Sequence, residues 1–561
     1  MGDDQKDLES TLTPPAPTDD SGEGSSARRP SVDSDTRSHV GLLPNVDPDF
    51  APNVAGLRRA LSARQVQMIA VAGTIGTGLF LGTGKSLAEG GPASILICYS
   101  LVGFVVYITL LLLGEMATQY PVAGSFNVYA NRFVDDAYGF ALSWNYWFND
   151  AVSVASDLTA AQLVLAYWTG WNLWLVSLLF LLFLLTVNSF HVKAYGELEY
   201  WLSFLKVATI VLFIILGIVV NAGANVEHRY IGTSNWRIPG APFVGGFGGF
   251  ARVFVTASFA YGGTESLGIT AGETKNPSKN MPRVVKFVFF RILLFYILSI
   301  LIVGLNVPYD YPNLSNRSTT TSPFTIVFAL AGSRVAGSFM NTVILTSVLS
   351  AGNHALFAGT RVLYSLSVAK HAPKFLAMTN RHGVPYIALL CTASLSGICF
   401  GSSYIGTGVL WGWLQNIVGV SNQIAWVSIG LASLQFRRAW KAQGRDLHEL
   451  KFQGARWTWG WGPPFVIVTV TAIILIQGWS SVIPRFSIVD FVSFYIELPV
   501  MLIFFVAWKL VHRASFVDIR TVDLRKDEHL ERSEDHEDTA QRQKRMGGKQ
   551  RWLWKAYYLI A

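Results

Sequence analysis

The sequence predicts an all-α polytopic membrane protein with about twelve transmembrane helices. Of its 561 residues, 51% are hydrophobic and only 14% are charged, whereas a soluble globular chain carries about 25% charged residues. The charges lie mainly in the two tails and in short loops, and the mean hydropathy is +0.37. Between the charges run apolar segments of the ~20 residues that a helix needs to cross the hydrocarbon core of a bilayer.

Twelve apolar segments are predicted to form the transmembrane helices. They cover residues 66–88, 93–113, 137–167, 171–190, 198–221, 245–271, 286–307, 335–366, 384–401, 407–434, 462–483 and 488–512. The third and eighth are longer than a bilayer is thick, so we expect them to tilt or to protrude. We predict five regions: a cytosolic tail (1–55), a first five-helix repeat (56–222), a second five-helix repeat (223–435), two additional helices (436–512) and a second cytosolic tail (513–561).

The two tails differ in composition. Residues 1–55 are polar, acidic and rich in Ser, Asp and Pro, which predicts a disordered segment. Within it, Lys6 and the stretch 28–31 (RRPS) are candidates for ubiquitination and phosphorylation. The C-terminal tail ends in 551–558 (RWLWKAYY), whose mixed aromatic and basic residues suit either a membrane surface or a trafficking signal. The expected partners are therefore a lipid bilayer and trafficking or ubiquitination machinery, and no nucleic acid.

The orientation follows from the distribution of Lys and Arg, which concentrate in cytoplasmic loops. Positive charges cluster after the sixth, eighth and tenth helices, at Lys275, Lys279, Arg283, Lys370, Lys374, Arg381, Arg437, Arg438, Lys441, Arg445, Lys451 and Arg456. The alternate loops hold one such residue at most, so both tails are predicted to be cytosolic, with the plasma membrane as the location. The two glycosylation sequons, Asn313 and Asn316, fall in the predicted external loop between helices seven and eight.

Glycine-rich stretches interrupt the first and sixth predicted helices, at 73–84 (GTIGTGLFLGTG) and 261–265 (YGGTE). Glycine weakens a helix and lets the backbone approach a ligand closely. Non-helical backbone in lipid is tolerated only where it lines a cavity or is buried in protein. Paired interruptions in corresponding positions of two halves predict an inverted-repeat transporter site, whose half-helix N-termini suit a carboxylate. Close packing of helices through small residues is the alternative.

Five ionisable residues fall within or at the end of apolar segments: Lys206, Asp150, Asp157, Glu115 and Glu265. Such groups are costly in lipid and are candidates for function, including proton exchange. Asp150 and Asp157 are seven residues apart and therefore share one face of the third helix. A structural ion pair is the alternative, above all for Glu115 at the end of the second helix.

Neither a disulfide framework nor an enzyme is predicted. The three cysteines, Cys98, Cys391 and Cys399, all lie in apolar segments and are interpreted as small buried hydrophobic residues. The sequence contains no metal-ligand cluster, nucleophile elbow or phosphate-binding loop. We therefore expect no catalytic residues, no metal and no cofactor.

Six stretches of the membrane region carry a family resemblance. They are 73–84, 114–126 (GEMATQYPVAGSF), 188–206 (NSFHVKAYGELEYWLSFLK), 263–277 (GTESLGITAGETKNP), 351–364 (AGNHALFAGTRVLY) and 413–444. In them the chain resembles the amino acid–polyamine–organocation superfamily and, within it, the fungal and bacterial amino-acid permeases. The resemblance implies a LeuT-like fold of two inverted five-helix repeats plus two C-terminal helices. It also implies amino-acid uptake with the proton as coupling ion.

The resemblance also implies roles for particular residues. The substrate carboxylate is expected at the first interruption, on Thr74, Gly76, Thr77 and Gly78. The substrate ammonium is expected at carbonyls of the sixth helix, with an aromatic gate, on Phe259, Ala260 and Tyr261. Lys206 stands where a sodium ion lies in sodium-coupled relatives, so Lys206 and Glu265 are the predicted proton-coupling residues.

Two further stretches, 143–168 and 240–246 (GAPFVGG), resemble lysine-specific permeases and their fungal basic-amino-acid relatives. Asp157 agrees with an acidic residue of those proteins and is a predicted substrate-binding residue. Asp150 departs from them, since an aromatic residue is usual there, and Ala72 replaces a glycine. We therefore expect a proton symporter for lysine and other basic amino acids. A broad-range, neutral amino-acid or proline permease is one alternative, and a transporter-like amino-acid sensor is another.

Overall fold

The computed structural model describes residues 75–122, 124–170, 172–190, 192–271, 277–314, 321–332, 334–381, 383–513, 515–525 and 528. Within these ranges the chain is helical, and the single β-type contact is an isolated bridge between Asp135 and Phe516. The prediction of an all-α protein is therefore confirmed. Several predicted features lie outside the described residues: the tail 1–55 with its modification candidates, Ala72, Thr74, Asn316 and the aromatic C-terminal stretch.

The α-helices are, in chain order, α1 Thr83–Gln119, α2 Ser125–Phe133, α3 Asp136–Leu165, α4 Leu173–Ser189, α5 Val192–Asn221, α6 Gly246–Tyr261, α7 Ser266–Ala271, α8 Pro277–Arg291, α9 Ser299–Asn306, α10 Pro323–Leu330, α11 Arg334–Val368, α12 Tyr386–Leu395, α13 Ser402–Ile405, α14 Thr407–Ala442, α15 Gly462–Gln477, α16 Trp479–Val482, α17 Ile488–Tyr495 and α18 Glu497–His512. Two π-helical turns, Gly78–Gly82 and Ile292–Leu298, precede α1 and α9. Short 3₁₀ turns cover Ser234–Trp236, Lys374–Ala377, Ser396–Gly401, Leu447–Glu449 and Gln453–Thr458.

The described part of the chain is polytopic by the length and composition of its helices. Seven helical stretches are long and apolar enough to cross a membrane, or eight when the bent pair α17 and α18 counts as one. The first stretch, Gly78–Gln119, is 42 residues long. It contains a sharp break at Gly91, with φ 80° and ψ 170°, followed by Pro92, and so corresponds to the first two predicted helices.

Two predicted helices differ from the observed ones in an informative way. The twelfth is bent by 49° between α17 and α18, because the ring of Pro499 conflicts with the carbonyl of Tyr495 four residues earlier. The tenth was expected to end at 434, with Arg437 in a cytoplasmic loop, but α14 continues to Ala442. Arg437 is therefore a buried helical residue and not a loop cation.

Arg437 is buried against Glu115, which ends the second predicted helix. Its Nε and Nη2 atoms donate hydrogen bonds of 2.8 and 3.1 Å to the two Glu115 carboxylate oxygens. Nη1 of Arg437 donates to the carbonyl of Thr458, and Nε1 of Trp459 donates to Glu115. This bidentate arrangement satisfies both charges, so the structural interpretation of Glu115 is the correct one.

The core is a bundle in which α3 packs against α11 and α14, and α1 packs against α6. Two glycines seven residues apart on α11 face two acids seven residues apart on α3. A Cβ added at Gly352 would lie 3.4 Å from Cβ of Asp157, and one added at Gly359 would lie 2.8 Å from Cβ of Asp150. The glycines let the two helices approach closely and so hold both acids inside the bundle.

Candidate functional site

The two glycine-rich interruptions meet inside the protein. A Cβ added at Gly78, in the first π-helical turn, would lie 2.8 Å from Cβ and 2.9 Å from the backbone nitrogen of Ala260 on α6. A Cβ at Gly76 would lie 2.9 Å from Cβ of Ala351 on α11. Because nothing larger than hydrogen fits at these positions, the first segment lies directly against α6 at Gly78 and against α11 at Gly76. The structure therefore brings Gly78 and Ala260 together, with Gly76 two residues earlier packed on α11.

The sixth predicted helix is interrupted where the sequence indicated. Helix α6 ends at Tyr261 and α7 begins at Ser266, and Gly263 between them has a φ of 80°. Such a left-handed conformation is readily adopted by glycine alone. The break therefore has a local cause in the sequence, and it ends the backbone hydrogen-bond pattern of α6 before α7 begins.

The side chain of Glu265 forms hydrogen bonds within this break and to two neighbouring helices. Its carboxylate accepts hydrogen bonds from the Tyr146 hydroxyl at 2.8 Å and from Nε1 of Trp426 at 3.2 Å. It also accepts from the backbone nitrogen of Gly263 and the hydroxyl of Thr264. Four donors fill the acceptor capacity of a carboxylate. Glu265 therefore anchors the break to α3 and α14.

The first interruption is joined to the third predicted helix through Thr77. The Thr77 hydroxyl donates a 2.8 Å hydrogen bond to Oδ1 of Asp157, and both side chains are buried. Asp157 was predicted from the sequence as a substrate-binding residue on α3. The structure brings it directly to the glycine-rich segment.

Lys206 is buried on α5 and interacts electrostatically with Asp157 and Glu199. Glu199 accepts hydrogen bonds from the Ser350 hydroxyl at 2.6 Å and from Nδ2 of Asn353 at 2.5 Å. A buried charge is tolerated when it is paired and hydrogen-bonded. Lys206 thus belongs to a cluster of one cation and two acids that extends to the glycine-rich segment through Asp157.

Glu199 is the functional candidate that the sequence reasoning missed. It lies in a less apolar part of the fifth predicted helix, next to Glu197, and so did not stand out as an intramembrane charge. The signal was its spacing, since Glu199 precedes Lys206 by seven residues. That spacing is two helical turns and puts both side chains on one face of α5.

His354 connects the same region to the break of the sixth helix. Its Nε2 lies 2.7 Å from the Ser266 hydroxyl and its Nδ1 lies 3.2 Å from the Tyr195 hydroxyl. Ser266 also donates to the carbonyl of Gly263. His354 interacts electrostatically with Lys206. The hydrogen bonds of His354 on α11 therefore join Tyr195 of α5 to the start of α7.

The aromatic residues at the end of α6 are placed in two different ways. Tyr261 stacks on Tyr296 at a centroid distance of 4.2 Å and donates a hydrogen bond to the carbonyl of Tyr99. The Tyr296 hydroxyl donates to the carbonyl of Ala260 at 2.8 Å. Phe259 instead lies edge-to-face with Trp411 at 6.5 Å. Tyr261 is thus fixed in the core, and Phe259 is the aromatic side chain of the predicted gate that contacts α14.

Asp150 and Asn313 are the remaining residues that the sequence analysis singled out and the structure describes. Asp150 is buried, its carboxyl group interacts electrostatically with Glu265, and its Oδ2 has no hydrogen-bond partner among the described residues. Asn313 is exposed in the segment between α9 and α10. Its use as a glycosylation site stays a prediction.

Comparisons with known proteins identify relatives of this chain. The sequence model of a family described as amino acid permease matches residues 65–520. A probable amino-acid permease of Schizosaccharomyces pombe is 44% identical over 494 residues, which are 85% of this chain and 96% of that protein. The lysine-specific permease LysP of Escherichia coli is 42% identical, over 82% of this chain and 95% of that protein. A general amino-acid permease of Candida albicans is 39% identical, over 81% and 78% respectively.

Proposed function

The chain belongs to the amino acid permease family, and from this premise we propose that it imports lysine and other basic amino acids together with protons. It is a multi-pass membrane transporter of amino acids and not an enzyme. The proposed location is the plasma membrane with both termini in the cytosol, as the loop charges predict. The substrate site proposed is the junction of the two interrupted helices, where the first interruption would hold the carboxylate and the carbonyls of α6 the ammonium.

The observation that carries the coupling proposal is the hydrogen bond from Thr77 to Asp157, together with the electrostatic interaction between Asp157 and Lys206. A proton gained or lost by Lys206 or by its two acids changes the charge next to the Thr77 hydroxyl. Substrate bound at the glycine-rich segment in turn changes the proton affinity of Lys206 and its two acids. Two ligands that each change the binding of the other are coupled by linkage, so substrate and proton would move together.

The preference for basic substrates is supported by the charge of the buried region. Among the described residues, the buried carboxyl groups of Asp150, Asp157, Glu199 and Glu265 and the buried ammonium of Lys206 interact with one another or with the interrupted helices. A carboxyl group in a site of low dielectric attracts the cationic side chain of a substrate when it is ionised. The likeness to the lysine-specific permease of Escherichia coli points the same way.

A broad substrate range is the second candidate, and one contact favours it. Oδ1 of Asp157 already accepts the hydrogen bond of Thr77, and its charge already interacts with Lys206. If these two partners satisfy Asp157, no acid would select the side chain of the substrate. The likeness to a general amino-acid permease is compatible with that alternative.

Labelled lysine uptake by cells that lack their own permeases tests the proposal. We expect uptake that arginine competes for and leucine does not, and that a protonophore abolishes. Equal competition by leucine would replace the basic-substrate proposal by the broad-range one. Uptake that is insensitive to the protonophore would overturn proton coupling, provided that surface expression is the same in both conditions.

A further inference from the structure

A polar cavity lies away from the junction of the interrupted helices. Its volume is about 190 Å³, below the ~300–1,000 Å³ of typical pockets for small-molecule ligands, which suits one amino acid better than a peptide. It is lined by the middle of α6, by the start of α14, by α17 and by the part of α1 before the break at Gly91. The predicted orientation puts the starts of α14 and α17 on the external side.

Four charged residues of opposite sign line this outer cavity: Lys85, Arg252, Glu89 and Asp490. All four are partly buried, and none of them forms a salt bridge with another residue in the part of the chain that the structure describes. Nζ of Lys85 donates to Oε1 of Gln415 at 3.3 Å. The guanidinium of Arg252 donates to a serine hydroxyl. Two cations and two carboxylates are therefore held in one cavity without neutralising each other.

The outer cavity lies next to the proposed substrate site. Thr256 lines the cavity and precedes Phe259 and Ala260 by about one helical turn. A Cβ added at Gly82, at the end of the first π-helical turn, would lie 3.1 Å from the side chain of Thr256. The pair of Phe259 and Trp411 lies beside the cavity residue Gly412. The cavity and the inner site are thus separated by one helical turn and one aromatic pair.

We propose that the outer cavity is a second binding site for α-amino acids, occupied before the inner site. The carboxylate of the amino acid pairs with Lys85 and Arg252, and its amino group pairs with one of the two acids, Glu89 or Asp490. A basic side chain adds a second ammonium for the remaining acid. Because these four side chains form no salt bridge in the described part of the chain, a zwitterion can pair with them without breaking an ion pair of the protein. The inference rests on the proposed function, because it assumes that amino acids enter from this side.

Gly412 provides a variant that fills the outer cavity. A Cβ at Gly412 would meet only Nζ of Lys85, at 3.5 Å, so Gly412→Leu projects into the cavity without displacing backbone. We expect equilibrium dialysis of the purified protein with labelled lysine to give two molecules per wild-type chain and one per Gly412→Leu chain. The matched control is Gly397→Leu, where an added Cβ would meet nothing within 4 Å, and it should keep two.

A second variant keeps the test valid if Gly412→Leu fails to fold. Asp490→Asn should weaken binding at the outer site about 10-fold, the usual effect of losing one charged hydrogen bond, and should leave the inner site unchanged. Its control is Asp310→Asn, which changes an exposed acid outside the cavity. One lysine per wild-type chain, unaffected by Gly412→Leu and Asp490→Asn, would overturn the outer site and leave the proposed function intact. Leucine bound at two per chain, with no lysine bound, would support the outer site while refuting basic specificity.

Discussion

Thr77 and Asp157 are eighty residues apart in the sequence and are joined by a 2.8 Å hydrogen bond in the core. Thr77 begins the helical part of the first interrupted segment, and Asp157 lies in the middle of α3 opposite Gly352 on α11. The same carboxyl group interacts with Lys206 on α5. A change of charge at Asp157 therefore acts on the substrate segment and on the buried lysine together.

Asp157→Asn separates the charge of this residue from its shape. The amide oxygen still accepts the hydrogen bond of Thr77, whereas the negative charge is lost. If the carboxylate interacts with the ammonium of a basic side chain, lysine uptake should fall about 10-fold or more, since a hydrogen bond to a charged group contributes ~1.5–3 kcal/mol. Uptake of any neutral substrate should fall less. The measurement is uptake of labelled lysine and leucine at several concentrations.

Asp150→Asn is the matched control for that variant, because Asp150 lies on the same face of α3 and also faces a glycine of α11. A smaller loss of lysine uptake in Asp150→Asn would assign side-chain recognition to Asp157. An equal loss for lysine and leucine in Asp157→Asn would instead indicate a structural role and favour the broad-range alternative.

Lys206→Ala should abolish or uncouple transport. It removes the one cation of the cluster and leaves Asp157 and Glu199 buried with less compensation. The informative comparison is Glu199→Gln, which keeps the acceptor for Ser350 but removes one acid. We expect lysine uptake in both variants to lose its sensitivity to a protonophore. Wild-type proton dependence in Lys206→Ala, at equal surface expression, would contradict the coupling role.

Much of the candidate site could be predicted from the sequence because its residues are unfavourable in an apolar helix. Glycines in an apolar helix and a lysine in lipid are both costly, so Gly78, Glu265 and Lys206 stand out in the sequence itself. Long-range partners leave no such mark. Nothing near Glu115 indicates that its partner is Arg437, more than 300 residues later. The many positive charges around Arg437 indicated a cytoplasmic loop at that position. This prediction was wrong because Glu115 on α1 supplies the opposite charge, which the sequence near Arg437 does not reveal.

Gly78→Ala should abolish uptake even though it adds a single methyl group. The added Cβ would lie within 3 Å of the backbone nitrogen of Ala260, and a contact with backbone cannot be relieved by a rotamer change. The two interrupted helices would have to separate by about 1 Å, because the added Cβ would lie only 2.3 Å from Cα of Ala260 and an ordinary contact begins at 3.4 Å. Gly397→Ala is the control, since that position has open space around it. Lysine uptake should be measured with the amount of protein at the cell surface. Normal uptake by Gly78→Ala would show that the close approach is not required.

The buried pair of Glu115 and Arg437 should be a structural element whose loss is measured in stability and not in specificity. Removing one partner leaves an unpaired buried charge, so Glu115→Gln or Arg437→Met should each lower the free energy of unfolding by about 3–5 kcal/mol. The double variant should be less destabilised than the sum of the two single variants, because neither charge then remains unpaired.

The partly exposed pair of Arg445 and Glu449, four residues apart in sequence and 3.3 Å apart in space, is the control for this cycle, tested by Glu449→Gln because Arg445 also pairs with Glu528. Its loss should cost at most ~0.5 kcal/mol, since solvent screens the two charges. Thermal unfolding of the purified variants in detergent measures both pairs under the same conditions. Additive effects of Glu115→Gln and Arg437→Met would mean that the two side chains stabilise the protein independently. In that case, the hydrogen bonds from Arg437 to Thr458 and from Trp459 to Glu115, and not the ion pair, would hold the ends of α1 and α14 together.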